Sequence, residues 1–118
     1  MKVCDLRYLK SISPDNPKFV TEMIEIFLRN VPVAIESMKN GLLTEDWEAL
    51  QHHAHKLRSH IDCMGISLKY KEMAKQIEEN AVQQSQLDVI NQMVPQLDEV
   101  FNRAYAELRE ELKKIKQI

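Results

Sequence analysis

The chain has 118 residues, 44% of them hydrophobic, with 16 basic and 18 acidic side chains and a formal charge of -2. That length suits one domain spanning residues 1–118, and the composition is too apolar for a disordered chain. The balanced charge gives no general drive toward nucleic acid or a membrane surface.

Two glycines and four prolines are few for this length. Alternating runs of β-branched and aromatic residues are missing, so the pattern is all-α. No apolar run approaches the roughly 20 residues a membrane span needs. The segment Met1-Lys2-Val3-Cys4-Asp5 lacks the apolar core of a signal peptide. Cys4 and Cys63 form no paired-ligand motif and read as free thiols in a reducing cytoplasm, the expected compartment. Starting at Met1 with a complete bundle pattern, the chain reads as a stand-alone protein.

In chain order, Asp5 is placed to cap a short first helix that buries Leu6, Leu9 and Ile12. Ser13-Pro14-Asp15-Asn16-Pro17 is a break, with Asn16 as N-cap and Pro17 at the first helical position. From Pro17 the positions Val20, Met23, Ile24, Phe27, Val31, Ala34, Ile35, Met38 and Leu42 draw one apolar stripe. Pro32 predicts a kink near Leu28–Val31, or two shorter helices. Gly41 and Thr44 mark the next boundary, with Thr44 as a cap and Glu45, Asp46 and Glu48 at the positive end of the following helix.

That third helix carries Trp47, Leu50, Ala54, Leu57, Ile61 and Met64 on one face and ends at Gly65, a residue suited to a left-handed C-cap. Ser67 caps a fourth helix with Tyr70, Met73, Ala74, Ile77 and Ala81 inside. Asn80–Ser85 reads as a polar turn, and Ser85 with Asp88 resembles a capping box. The last helix runs through Leu87, Ile90, Val94, Leu97, Phe101, Ala104, Leu108, Leu112 and Ile115, with Pro95 as a kink. Short turns make neighbouring helices antiparallel. The expected fold is an up-and-down four-helix bundle with a short extra N-terminal helix.

All four histidines fall between His52 and His60. His52, His55, Ser59 and Asp62 step along one helix face beside the apolar stripe. Four readings compete for that row. A solvated polar face is the plainest. A metal site is the second, since imidazole suits zinc, copper and iron, but no Glu stands three residues before any of these histidines, and Asp62 and Cys63 point to different faces. A histidine-kinase core is the third. His55-Lys56-Leu57-Arg58-Ser59-His60 matches only its apolar and basic positions, and no Gly-rich nucleotide loop exists. The fourth is nucleophilic phosphoryl transfer. A neutral imidazole is a nucleophile. Lys56 and Arg58 stand close to His55 as cations for a phosphoryl group, and Ser59 is small enough to let a partner approach. On so convex a surface the pocket and metal would come from that partner.

Ala54-His55-Lys56-Leu57-Arg58-Ser59, with Gly65 ten positions after His55, resembles the histidine-containing phosphotransfer (HPt) domain family, which reads Ala-His-x-Leu-Lys-Gly with a glycine at that spacing. Leu6-x-x-Leu9, Asp15-Asn16-Pro17-x-Phe19-Val20, Phe27-Leu28 and Asp46-Trp47-x-x-Leu50 extend the likeness over most of the chain. The resemblance implies a four-helix bundle that shuttles phosphoryl groups between receiver-domain aspartates in a two-component phosphorelay. It implies receiver domains and a hybrid histidine kinase as partners, a monomer, no cofactor or metal of its own, and no autokinase activity. His55 takes the phospho-accepting position, Arg58 the place of the family's lysine, and Lys56 a partner-orienting one. His52, Ser59 and Asp62 fall on the partner surface, where Ser59 replaces the usual glycine and Asp62 adds a carboxylate. The loop after Gly65 is about one residue longer than in many members. A helical adaptor without phosphotransfer is the first alternative, and a metal-binding bundle the second.

Overall fold

The structure, a computed structural model, describes residues 2–116. It contains five helices: α1 Arg7–Ile12, α2 Pro17–Thr44, α3 Trp47–Cys63, α4 Leu68–Gln83 and α5 Leu87–Lys116. Helices α2 to α5 pack as a ring, α2 on α3, α3 on α4, α4 on α5 and α5 back on α2, while α1 leans on α2. Only a few residues join successive helices, so each must run antiparallel to the last. The up-and-down bundle expected from the sequence is the fold.

The core is a continuous apolar column containing Phe27, Met38, Leu50, Leu57, Ile77, Leu97 and Leu108, with no buried polar or charged residue among those described. Phe27 packs on Phe101 at 6.0 Å between ring centroids. Helices α2 and α5 have 28 and 30 residues, against 17 and 16 for α3 and α4. At 1.5 Å per residue the long pair outruns the short pair by about 20 Å. Beside that overhang lie the N-terminal segment and α1. Val3 and Cys4 donate their N–H groups to the Glu107 carboxylate at 2.7 and 3.0 Å, Asp5 N–H to the Met64 carbonyl at 2.9 Å, and Lys10 reaches Glu111 at 3.4 Å. Buried Leu9 pins α1 to the core, whereas Ile12, expected inside, is 51% exposed.

Several boundaries differ from the sequence reading. Asp5, expected to cap α1, stands one residue too early: the N-cap position is Leu6, which makes no side-chain capping bond, although the Asp5 carboxylate accepts the Arg7 N–H. Pro32 does not split α2 into two helices: α2 runs through it as one, with Pro32 on its exposed face. Gly41 is buried within α2 rather than ending it; a Cβ there would lie 3.2 Å from the Asp46 carbonyl and 3.5 Å from the Ala49 Cβ, so glycine lets α2 and α3 close up. Thr44 is the last residue of α2 and donates its hydroxyl to the Asn40 carbonyl. Asp46 is the N-cap of α3, accepting the Ala49 N–H at 3.1 Å. Helix α4 continues to Gln83, so the polar turn is four residues shorter at its start than expected. Ser85 does not cap α5; its hydroxyl turns back to Gln83, and the Gln86 carbonyl accepts the first helical N–H groups.

Other expectations hold. Asn16 accepts the Phe19 N–H with Pro17 at the first position, and Ser67 accepts the Lys69 N–H. Gly65 adopts φ 63° just past α3. It has a second reason to be glycine, because a Cβ would fall 2.0 Å from the Asp5 carbonyl oxygen.

Candidate functional site

Helix α3 turns Leu50, Ala54, Leu57 and Ile61 into the core. This fixes its rotation and leaves His52, His55, Ser59 and Asp62 exposed along one outer row. The His55 side chain is 67% exposed. Its Nδ1 lies 2.9 Å from Oε1 of Glu78 on α4. The other oxygen of the same carboxylate, Oε2, accepts from Arg58 Nη1 at 3.0 Å. Glu78 therefore bridges the histidine and the cation one turn after it. A carboxylate accepts only, so the neutral imidazole that meets it carries its proton on Nδ1, and Nε2 keeps its lone pair.

The sequence reading assigned no partner on the fourth helix, and Glu78 was missed. A signal existed in hindsight. On two antiparallel helices, residues two turns apart on one face residues two turns apart on the other. Asp62 pairs with Lys71 at 2.9 Å, and His55, seven residues before Asp62, meets Glu78, seven residues after Lys71. One of these pairs would have given the other, but the register itself depends on the α3–α4 turn.

The remaining candidates separate. The Asp62 carboxylate is neutralised by Lys71. The Ser59 hydroxyl donates to the Lys56 carbonyl at 3.0 Å, so it is occupied by its own helix and not by His55. Lys56 is exposed, without an ion-pair partner among the described residues, and lines a hollow between α2 and α3 with Arg29, Val33 and Ser59. On the other side of His55 a second hollow is lined by Asp46, Glu48, His52 and Glu78. The two flanks of His55 thus differ in sign.

The other histidines are set apart by packing. His60 meets Phe27 edge-on at 5.6 Å, and burial, then the nearby Lys56 charge, pushes its pKa down. The His53 ring stands edge-on to His52 at 5.1 Å, and its pKa is lowered by burial, then by His52 and Lys56. Among the described residues no three His, Cys, Asp or Glu side chains are grouped as a metal ion would require. Cys4 is held as a thiol, pushed up to about 12 by burial and then by Glu107.

An exposed histidine on a helical bundle, anchored at one ring nitrogen, with cations on one flank and carboxylates on the other, is suited to carrying a phosphoryl group. The Hpt domain family model matches residues 22–117, and the chain belongs to that family. Hpt proteins are histidine phosphotransfer proteins of two-component phosphorelays, phosphocarriers that interact with receiver domains and histidine kinases. The fold is also similar to the crystal structure of histidine-containing phosphotransfer protein B (HptB) from Pseudomonas aeruginosa PAO1, with a TM-score of 0.77 and 21% identity over 95% of this chain and 96% of that one. A search of curated proteins gave no match. No helix among the described residues is long and apolar enough to cross a membrane.

Proposed function

We propose that His55 accepts a phosphoryl group from a receiver-domain aspartate and passes it to a second receiver, with a hybrid histidine kinase upstream and residues 1–118 acting as one monomeric, cytoplasmic Hpt unit without autokinase activity. The observation that carries this reading is the exposed imidazole held through Nδ1 by Glu78, which leaves Nε2 as the free nucleophile. In the transfer, Nε2 attacks phosphorus, the N–P bond forms as the P–O bond to the aspartyl carboxyl breaks, and the aspartate leaves as carboxylate. The ring gains positive charge while its proton stays on Nδ1, and the Glu78 carboxylate beside that proton stabilises the charged ring. Arg58 and Lys56 lie near enough on α3 to help neutralise the phosphoryl oxygens. His52, Ser59 and Asp62 border the surface a receiver would cover, with the magnesium and acidic pocket supplied by the receiver.

The test is incubation with phosphorylated receiver domains, followed by mapping of the acid-labile label. Wild-type protein should be labelled on His55, and His55→Gln should not be labelled while keeping its helicity and melting temperature. Full labelling of His55→Gln would remove the assignment.

A further inference from the structure

Glu78 binds two groups that phosphorylation would set against each other. Through Oε1 it holds His55 Nδ1 at 2.9 Å, and through Oε2 it holds Arg58 Nη1 at 3.0 Å. The carboxylate is mostly covered, at 18% side-chain exposure, so neither contact is simply a solvent-screened surface pair. We propose that Glu78 is a positioning residue that keeps Arg58 in reserve: it sequesters the guanidinium in the resting protein and surrenders it to the phosphoryl group once His55 is phosphorylated. This rests on the reading of His55 as phosphoryl acceptor.

The physical argument is a competition for one cation. Residues three apart on a helix have Cβ atoms about 5–6 Å apart, so Arg58 reaches the space around the His55 ring. A phosphoryl group on Nε2 brings about two negative charges and three acceptor oxygens into that space. It therefore outbids a single carboxylate for a guanidinium that has donors to spare. Arg58 has them: among the described residues it meets Glu78 through Nη1 alone, so its second terminal nitrogen is left to donate. Glu78 loses little by the exchange, because the ring it still holds has become cationic and replaces Arg58 as its counter-charge. The exchange runs through one side-chain movement and leaves the helices in place.

A consequence follows for the balance between free and phosphorylated protein. With Glu78 present, Arg58 has an anionic partner in both states, so deleting it removes a favourable contact from each and the equilibrium moves little. With a neutral amide at position 78, Arg58 has a strong partner only in the phosphorylated state, and deleting it should cost that state alone. Loss of a charge-assisted contact of this kind corresponds to about a three- to tenfold change in an equilibrium constant.

The experiment uses wild-type protein, Arg58→Ala, Glu78→Gln and the double variant. Each is labelled on histidine with phosphoramidate, a chemical donor that needs no receiver, and then equilibrated with a receiver domain that discharges the wild type. The phosphohistidine fraction gives four equilibrium constants. Arg58→Ala should lower the phosphohistidine side about three- to tenfold more in the Glu78→Gln background than beside Glu78. Equal losses in the two backgrounds would overturn the inference. In parallel, the Arg58 guanidinium resonances of the wild type should shift on phosphoramidate labelling, a signature that a purely structural ion pair would not give; resonances that stay in place would also overturn it. If phosphoramidate labels His55 but no receiver discharges it, the phosphorelay reading fails and the guanidinium spectrum still decides the inference. If His55 takes no label from either donor, both fall.

Discussion

Gly65→Ala should destabilise the protein by an amount the structure separates into parts. Gly65 sits at φ 63°, where a residue with a Cβ costs about 1–2 kcal/mol. The new Cβ would stand 2.0 Å from the Asp5 carbonyl oxygen and 2.9 Å from its carbonyl carbon. Both are backbone atoms and cannot swing aside as a side-chain tip would, so the N-terminal segment must lift. Lifting it breaks the 2.9 Å bond from Asp5 N–H to the Met64 carbonyl, a loss of about 0.5–1.5 kcal/mol. The sum is about 1.5–3.5 kcal/mol, which at an m-value of about 2 kcal/mol/M lowers the urea midpoint by about 1–2 M. The assay is urea unfolding followed by helical circular dichroism, run on the full chain and on a chain lacking residues 1–5. In the shorter chain the clash partner is gone, and only the backbone penalty should remain. An equal midpoint shift in both chains would refute the close approach as the reason for glycine. Phosphoryl acceptance should survive the substitution, because His55 lies ten residues back along α3, roughly 15 Å away.

Asp46→Ala removes the side chain that accepts the Ala49 N–H at the start of α3; it should cost about 1 kcal/mol in the same unfolding assay, whereas Thr44→Ala should cost little. The depressed pKa values of His60 and His53 give the pH dependence a sign. The unfolded chain binds protons more readily than the folded one, so stability is level above the ordinary histidine value near 6.5 and declines as pH falls below it toward the folded values. Urea midpoints at pH 7.5 and 5.5 should show that decline, and His60→Gln should reduce it. Cys4, held as a thiol by burial, should react with iodoacetamide at pH 8 far more slowly than in the urea-unfolded chain; equal rates would show that the N-terminal segment does not cover it.

The sequence by itself determined the helices that carry the fold. The apolar stripes of α2, α3 and α5 repeat at helical spacing for many turns, and burying them leaves little choice but a bundle. The same stripe that buries Leu50, Ala54, Leu57 and Ile61 put the row His52, His55, Ser59 and Asp62 on the outer face, and within it the neighbouring Lys56, Arg58 and Ser59 and the family resemblance pointed to His55. The helix ends were read less well. Thr44 and Ser85 are good capping residues by type, but Asp46 and the turn at Gln84–Gln86 do the work, since where a helix stops depends on what it packs against. Gly41 read as a boundary and is a close contact between two helices. The partner of His55 could be decided only by the tertiary structure. Glu78 is 23 residues away in the chain, and nothing local distinguishes it from Glu79 beside it. The rotation of α4 and its antiparallel register against α3 bring Glu78 to the histidine and leave Glu79 in solvent. Periodicity is a property of one helix and can be read from the chain; register is a property of two, and it is fixed by how their side chains interlock across the turn that joins them.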